Sequence, residues 1–209
     1  MIQTLYAPFR KWTEKGTLWI YSDPHFSDPD MVEYRENYLG DEEQIARINS
    51  KVGKHDTIIF LGDIGNKEMV RKIRGYKVLI MGNHDSGATN YTDIFDEVYE
   101  GPLFIAEKLV LSHEPVVLPF AFNIHGHEHR YVKRDNDLNV CAEHIDYTPV
   151  NVNRLIKKGL LSKVESIHRM TIDRATDRKM DRVRHGADCV FTSVCTDYPE
   201  TCDDTCQSR

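Results

Sequence analysis

Before residue 189 this chain of 209 residues holds a single cysteine, Cys141; the other four, Cys189, Cys195, Cys202 and Cys206, crowd into its last stretch. That distribution argues against a disulfide-stapled secreted domain. The late cysteines also lack the paired C-x-x-C of a zinc knuckle. They read as part of a peripheral tail, with a structural metal site as the alternative. Cys141, alone in a strand-like run, reads as a buried small hydrophobe. No apolar run is long enough to span a bilayer, and the N-terminus carries no uninterrupted apolar stretch of signal-peptide length. The expected location is therefore the cytoplasm, with no membrane partner. No internal repeat is visible.

A large charge of one sign is missing too. The formal net charge is -6, with 40% hydrophobic and 29% charged residues, as in an ordinary soluble globular protein. The balance is uneven, however. Residues 150–185 carry ten Lys and Arg against four Asp and Glu, while 186–209 carry one against five. A basic segment can signal nucleic-acid contact, but solvated helix faces account for this one more simply. The length suits one domain over 1–185 with an acidic, cysteine-containing tail at 186–209.

What is present is a series of five short donor-bearing segments. They are Asp23-Pro24-His25, Gly62-Asp63, Gly82-Asn83-His84-Asp85, Ser112-His113 and Gly126-His127-Glu128-His129. Each follows an apolar run that reads as a strand: TLWIYS, TIIFLG, KVLIMG, KLVLS and FNIHG. Between the first strands lie helical signals, with Asp41 as the N-cap of a helix presenting Ile45, Ile48 and Val52, and Asn66 capping a second through Ile73. Residues 90–98 read as a short helix, LFIAEK pairs with KLVLS, LNVCAEH reads as a strand, and NRLIKKGLLSKV reads as a helix. A βαβ first half and a strand-rich second half predict an α/β fold: two packed mixed β-sheets flanked by helices.

Strand ends of such a sheet are where side chains converge on a ligand. Asp23 and His25 are two apart, as are His127 and His129, so each pair can share a face in extended chain. Asp63 offers two oxygens and Asn83 and His113 add neutral donors. A mixed imidazole, carboxylate and amide set suits Mn, Fe, Zn or Ni better than Ca or Mg.

In order and wording, D-x-H, GD, GNHD, SH and GHxH over about residues 17–150 resemble the calcineurin-like metallophosphoesterases, and most closely their small single-domain bacterial and phage members. The resemblance implies the α/β/β/α sandwich of that family and two divalent transition-metal ions, manganese foremost. One ion would be held by Asp23, His25, Asp63 and His129, and the other by Asp63, Asn83, His113 and His127. It further implies that His84 protonates the leaving oxygen and that Asp85 hydrogen-bonds His84. Two ions about 3.5–4 Å apart can activate a bridging hydroxide and stabilise an in-line displacement, so no serine or cysteine nucleophile is required. Where small relatives carry a second histidine after the first motif, this chain has Asp28.

Around this set, Arg35 would clamp a substrate phosphate or form a surface ion pair. His144 would approach the site from the next strand end, and His125 would orient the ligands beside it. The function implied is hydrolysis of a phosphodiester or phosphomonoester, with a small phosphate ester or nucleotide as substrate. Nucleic acid is a less favoured substrate, because no aromatic platform accompanies the basic segment. A non-catalytic metal-binding scaffold is the alternative from another class. The sequence leaves the oligomeric state open.

Overall fold

The computed structural model describes residues 11–14, 16–35, 38–106, 108–162 and 164. All of these lie in one compact unit, Met1–Glu165. The expected boundary near residue 186, the four late cysteines and most of the basic segment fall outside the described residues.

Two mixed sheets pack together with helices outside them. In the first, β1 (Leu18–Tyr21), β2 (Thr57–Phe60), β3 (Tyr76–Ile80) and β4 (Glu97–Tyr99) run parallel, and β9 (Val150–Asn151) pairs antiparallel with the free side of β1. The second is β5 (Leu103–Ala106), β6 (Leu109–Leu111), β7 (Phe122–His125) and β8 (Asp137–Asn139), antiparallel only between β5 and β6. Strand β2 is buried on both faces, which is why its sequence, TIIF, is apolar throughout and does not alternate. Ile59 and Leu61 face the core between the sheets with Leu109, Leu111 and Ile124. Ile58 and Phe60 face a second core under the helices, with Ile45, Ile48 and Val70.

Helix α2 (Asp41–Lys51) follows the short helix α1 (Asp30–Tyr34) and covers that second core. Its first turn, Asp41, Glu42 and Glu43, complements the positive helix end. Gly40, not Asp41, occupies the cap position, because the Asp41 carboxylate is engaged by Ser27 N at 2.9 Å and Ser27 Oγ at 2.6 Å. Asn66 does cap the next element through Glu68 N, a 3-10 helix at Lys67–Lys72. Among the described residues no helix is long and apolar enough to cross a membrane.

Three local expectations are corrected. Residues 90–98 form no α-helix: a 3-10 turn, Ala88–Asn90, leads into strand β4, whose Val98 and Tyr99 pair with β3. In LNVCAEH only the start is strand, and Ala142–Ile145 winds into a 3-10 turn. The later helix, α3 (Val152–Lys157), stops short of the expected run, where Gly159 with φ +89° breaks it.

Asp56 ties the start of the first sheet together. Its carboxylate accepts from Thr17 N at 2.8 Å, Gly53 N at 2.8 Å and Trp19 Nε1 at 3.1 Å. Burial alone would raise this carboxyl, but the three donors outweigh it and hold it below its usual 3.8. A carboxyl depressed on folding contributes stability that is present above its unfolded value and lost as pH falls through the folded one. Asp56→Ala is expected to cost about 1–3 kcal/mol at neutral pH, and the gap to wild type should narrow below pH about 4. Urea denaturation at the two pH values measures both effects.

Candidate metal centre

Parallel pairing of β1 with β2, of β2 with β3, and of β6 with β7 directs five strand ends to one edge. Beyond the strands the connections stay paired, with Asp23 N to Gly62 O at 3.1 Å, His25 N to Asp63 O at 3.1 Å and Gly126 N to His113 O at 2.9 Å. The backbone there is unusual. Asp23, His25, Asp63 and His127 all have positive φ, at 54°, 46°, 52° and 67°. Non-glycine residues held in this region cost about 1–3 kcal/mol each, so the surroundings must over-determine them. Two glycines permit the approach: a Cβ on Gly62 would lie 2.4 Å from Gly82 N, and one on Gly126 would lie 2.2 Å from Asp23 Oδ2.

The side chains gather into two adjoining clusters, Asp23 with His25 and His129, and Asp63 with His113 and His127. Within each, the donor atoms lie within 4.8 Å of one another. Asn83 Oδ1 joins the second cluster at 2.8 Å from His113 Nε2 and 3.1 Å from His127 Nδ1. Asp63 Oδ2 is shared, 3.7 Å from His25 Nε2 and 3.4 Å from His113 Nε2.

The donor chemistry fits a cation at each cluster. His113 Nδ1 lies 2.7 Å from Leu61 O, and a carbonyl only accepts, so the ring proton is on Nδ1 and Nε2 presents a lone pair. That lone pair faces the Asn83 oxygen, the Asp63 carboxylate and His127 Nδ1 at 3.1 Å. His25 Nδ1 donates to Asp28 Oδ2 at 3.2 Å, which leaves His25 Nε2 buried with no hydrogen-bond partner. Burial, then the charge of Arg35, lowers the His25 imidazole from its usual value and favours this neutral form. Asp23 and Asp63 are wholly buried, and among the described residues neither carboxylate has a Lys or Arg partner. Converging lone pairs around unpaired buried carboxylates are repulsive unless a positive ion sits among them.

Behind the first cluster stands a charged pair that the sequence did not disclose. Glu143 Oε1 accepts from His129 Nδ1 at 2.7 Å, turning Nε2 toward Asp23, 3.7 Å from Oδ1. Its other oxygen lies 3.2 Å from Arg35 Nη1. Burial would raise the Glu143 carboxyl, but the His129 hydrogen bond and the Arg35 charge prevail and hold it low. Arg35 Nη2 also lies 2.8 and 3.1 Å from the two His129 nitrogens. A carboxylate on the far nitrogen of a ligating histidine fixes its tautomer and orientation. Glu143→Gln is therefore expected to weaken divalent-metal binding at the Asp23, His25 and His129 cluster about 10–100-fold, as read by calorimetric titration.

Other expected residues fall as follows. Asp85 does not hydrogen-bond His84; its carboxylate accepts from Gly82 N at 2.8 Å, Asp63 N at 2.9 Å, Ile64 N at 3.1 Å and Tyr91 hydroxyl at 3.2 Å. It thereby clamps the two turns that carry Asp63 and Asn83 to each other. His84 is exposed, its backbone N–H held by Asp63 Oδ1 at 3.0 Å and its ring 5.8 Å from that of His25. Arg35 is buried, so it is not a surface ion pair. His144 does not enter the site: its Nε2 donates to Glu128 O at 2.9 Å and braces the His127–His129 loop from outside. His125 is buried behind the site, with Nδ1 on Gly126 O at 2.8 Å and Nε2 3.2 Å from Asp137. Cys141 is buried as expected and donates to Asp23 Oδ2 at 3.3 Å, its thiol pushed up by burial and then by the Asp23 charge. Gln44, which the sequence did not single out, bonds Pro24 O at 3.3 Å and Tyr21 hydroxyl at 3.0 Å and so supports the first loop.

No family model matches the sequence, and no curated protein is significantly similar to it. Among solved structures, a protein of unknown function from Aquifex aeolicus, AQ665, is similar in fold, with a TM-score of 0.56 and 22% identity over 68% of this chain and 98% of that one. The Pseudomonas putida nuclease MPE aligns at a TM-score of 0.41 and 23% identity, over 54% of this chain and 61% of that one. The first likeness concerns the sandwich fold. The residues assembled at its edge are two adjoining clusters of candidate metal ligands, with His129, Cys141 and Glu143 as a third group that shares His129 with the first.

Proposed function

We propose that this chain is a calcineurin-like phosphoesterase that uses two divalent transition-metal ions to hydrolyse a phosphodiester or phosphomonoester. The observation that carries the reading is the shared Asp63 Oδ2, near both His25 Nε2, which has no hydrogen-bond partner, and His113 Nε2. One ion is assigned to Asp23, His25, Asp63 and His129, and the other to Asp63, Asn83, His113 and His127. When bound, such ions supply Lewis acidity at a phosphoryl centre and a water-derived nucleophile.

The chain's own residues do the rest. Asp28 and Glu143 hold His25 and His129 in the tautomers that aim Nε2 inward, and the Leu61 carbonyl does the same for His113. Asp85 keeps the Gly82–Asp85 turn against Asp63, which places His84 at the open rim of the site. There the imidazole is assigned to deliver a proton to the departing oxygen. Arg35, paired with Glu143 and beside His129, adds fixed positive charge next to the incoming phosphate.

The test is hydrolysis of bis-p-nitrophenyl phosphate by protein loaded with Mn²⁺ and by the same protein in chelator. Metal-dependent turnover is expected. Metal-loaded protein inactive on diesters, monoesters and oligonucleotides alike would point instead to a binding scaffold.

A further inference from the structure

The loop that leaves the last candidate ligand reads His129-Arg130-Tyr131-Val132-Lys133-Arg134. It combines exposed aromatic and aliphatic surface with unpaired positive charge. Tyr131 is 76% exposed and Val132 43%. Arg130 and Lys133 are exposed, and neither forms an ion pair or hydrogen bond among the described residues. Arg134, by contrast, is committed to Glu128 and Asp137.

This loop is firmly built from behind. Glu128 binds Arg134, Asp137 links Arg134 to buried His125, and Asn139 Nδ2 holds Glu128 O at 2.6 Å. His144, fixed to that same carbonyl, meets the Tyr131 ring edge-on at 6.4 Å. The tyrosine is thus oriented by one neighbour while most of its surface stays open. Tyr34, also 76% exposed, precedes Arg35, whose guanidinium touches His129. Two open aromatic rings therefore stand within one or two residues of a single contact at the metal site.

We propose that this ledge binds a single-stranded nucleic acid, with a base stacked on Tyr131 and its phosphates on Arg130 and Lys133, so that a backbone phosphate reaches the metal centre. The inference rests on the phosphoesterase reading and names its substrate class. Tyr131 lies no more than about 7 Å of chain from His129 and Lys133 no more than about 14 Å. A small ester held at the metals would not extend that far, whereas a polymer would. Stacking is tolerant of base identity because every base offers a π-face, and lysine and arginine beside it follow the phosphates. Charge also selects the side. The cleft beside Asn83 and His113, about 310 Å³, is rimmed by the exposed Glu100 and Glu114 and disfavours a polyanion.

The test uses the full chain and fluorescein-labelled ten-nucleotide RNA and DNA strands, followed by anisotropy with and without Mn²⁺. Tyr131→Ala is expected to raise Kd about tenfold, and Tyr131→Phe to restore it. Arg130→Ala with Lys133→Ala should reduce the slope of log K against log salt by about 1.4. The ratio of kcat/KM on oligonucleotide to that on bis-p-nitrophenyl phosphate should fall about tenfold in Tyr131→Ala. Active protein that ignores every strand, or binds strands equally well without Tyr131, overturns the ledge. Protein that binds strands through Tyr131 yet hydrolyses nothing with metal overturns the phosphoesterase reading alone. RNA against DNA distinguishes which strand the ledge accepts.

Discussion

His84→Ala is expected to lower turnover by about 10²–10⁴-fold while both Mn²⁺ ions stay bound. The expectation follows from where the ring stands. Its backbone is anchored to Asp63 Oδ1 at 3.0 Å, its imidazole is exposed, and among the described residues the ring has no hydrogen-bond partner. A ring in that position is free to meet a leaving oxygen, and it is not needed to complete either donor cluster. The loss should depend on the leaving group. A p-nitrophenolate departs with little protonation, so the deficit on bis-p-nitrophenyl phosphate should lie at the lower end of the range. An ester with an alkoxide leaving group should show the larger loss. Equal losses on both, or a drop in bound metal, would assign His84 a structural part.

Asp63→Asn is expected to produce the largest loss of metal. Asp63 Oδ2 stands between the two clusters, 3.7 Å from His25 Nε2 and 3.4 Å from His113 Nε2. Replacing the carboxylate with an amide removes a buried negative charge and one of two equivalent oxygens. It also sets an NH₂ group either against His84 N, which now donates to Asp63 Oδ1 at 3.0 Å, or at the shared Oδ2 position. Both binding events should weaken by more than 100-fold, beyond the range for a residue that acts through a ligand. Hydrolysis should fall with them. Selective loss of one ion would mean that Asp63 serves a single site.

The donor-bearing segments stood out in the sequence because strand ends and two-residue spacing are local signals, and the two packed sheets followed from a βαβ first half and a strand-rich second half. What sequence missed was set by tertiary geometry. The segment after β8 does reach the site, but through Glu143 and Cys141, which share a phase, and not through the intervening side of the chain where His144 sits. A strand reading of LNVCAEH could not fix that phase, since the chain leaves strand geometry after Asn139 and turns at Ala142. Asp85 stands next to His84 in sequence, yet its carboxylate turns back to three amide groups that only the folded turns assemble. Asp28 has a similar lesson: it supplies the carboxylate that orients His25. The left-handed backbone at four candidate ligands has only a faint signature in residue type, because none of the four is glycine and Asp and His merely tolerate that region better than most residues. The basic segment at 150–185 drew notice for its charge, while the shorter Arg130–Lys133 run was overlooked because its meaning depends on adjacency to the metal centre.

The central claim is that one carboxylate joins two cation sites, and a Mn²⁺ titration of the intact chain tests it most directly. Calorimetry combined with electron paramagnetic resonance is predicted to give two ions per chain with the spin-coupled signal of neighbouring Mn²⁺. A single uncoupled ion at saturation would contradict it.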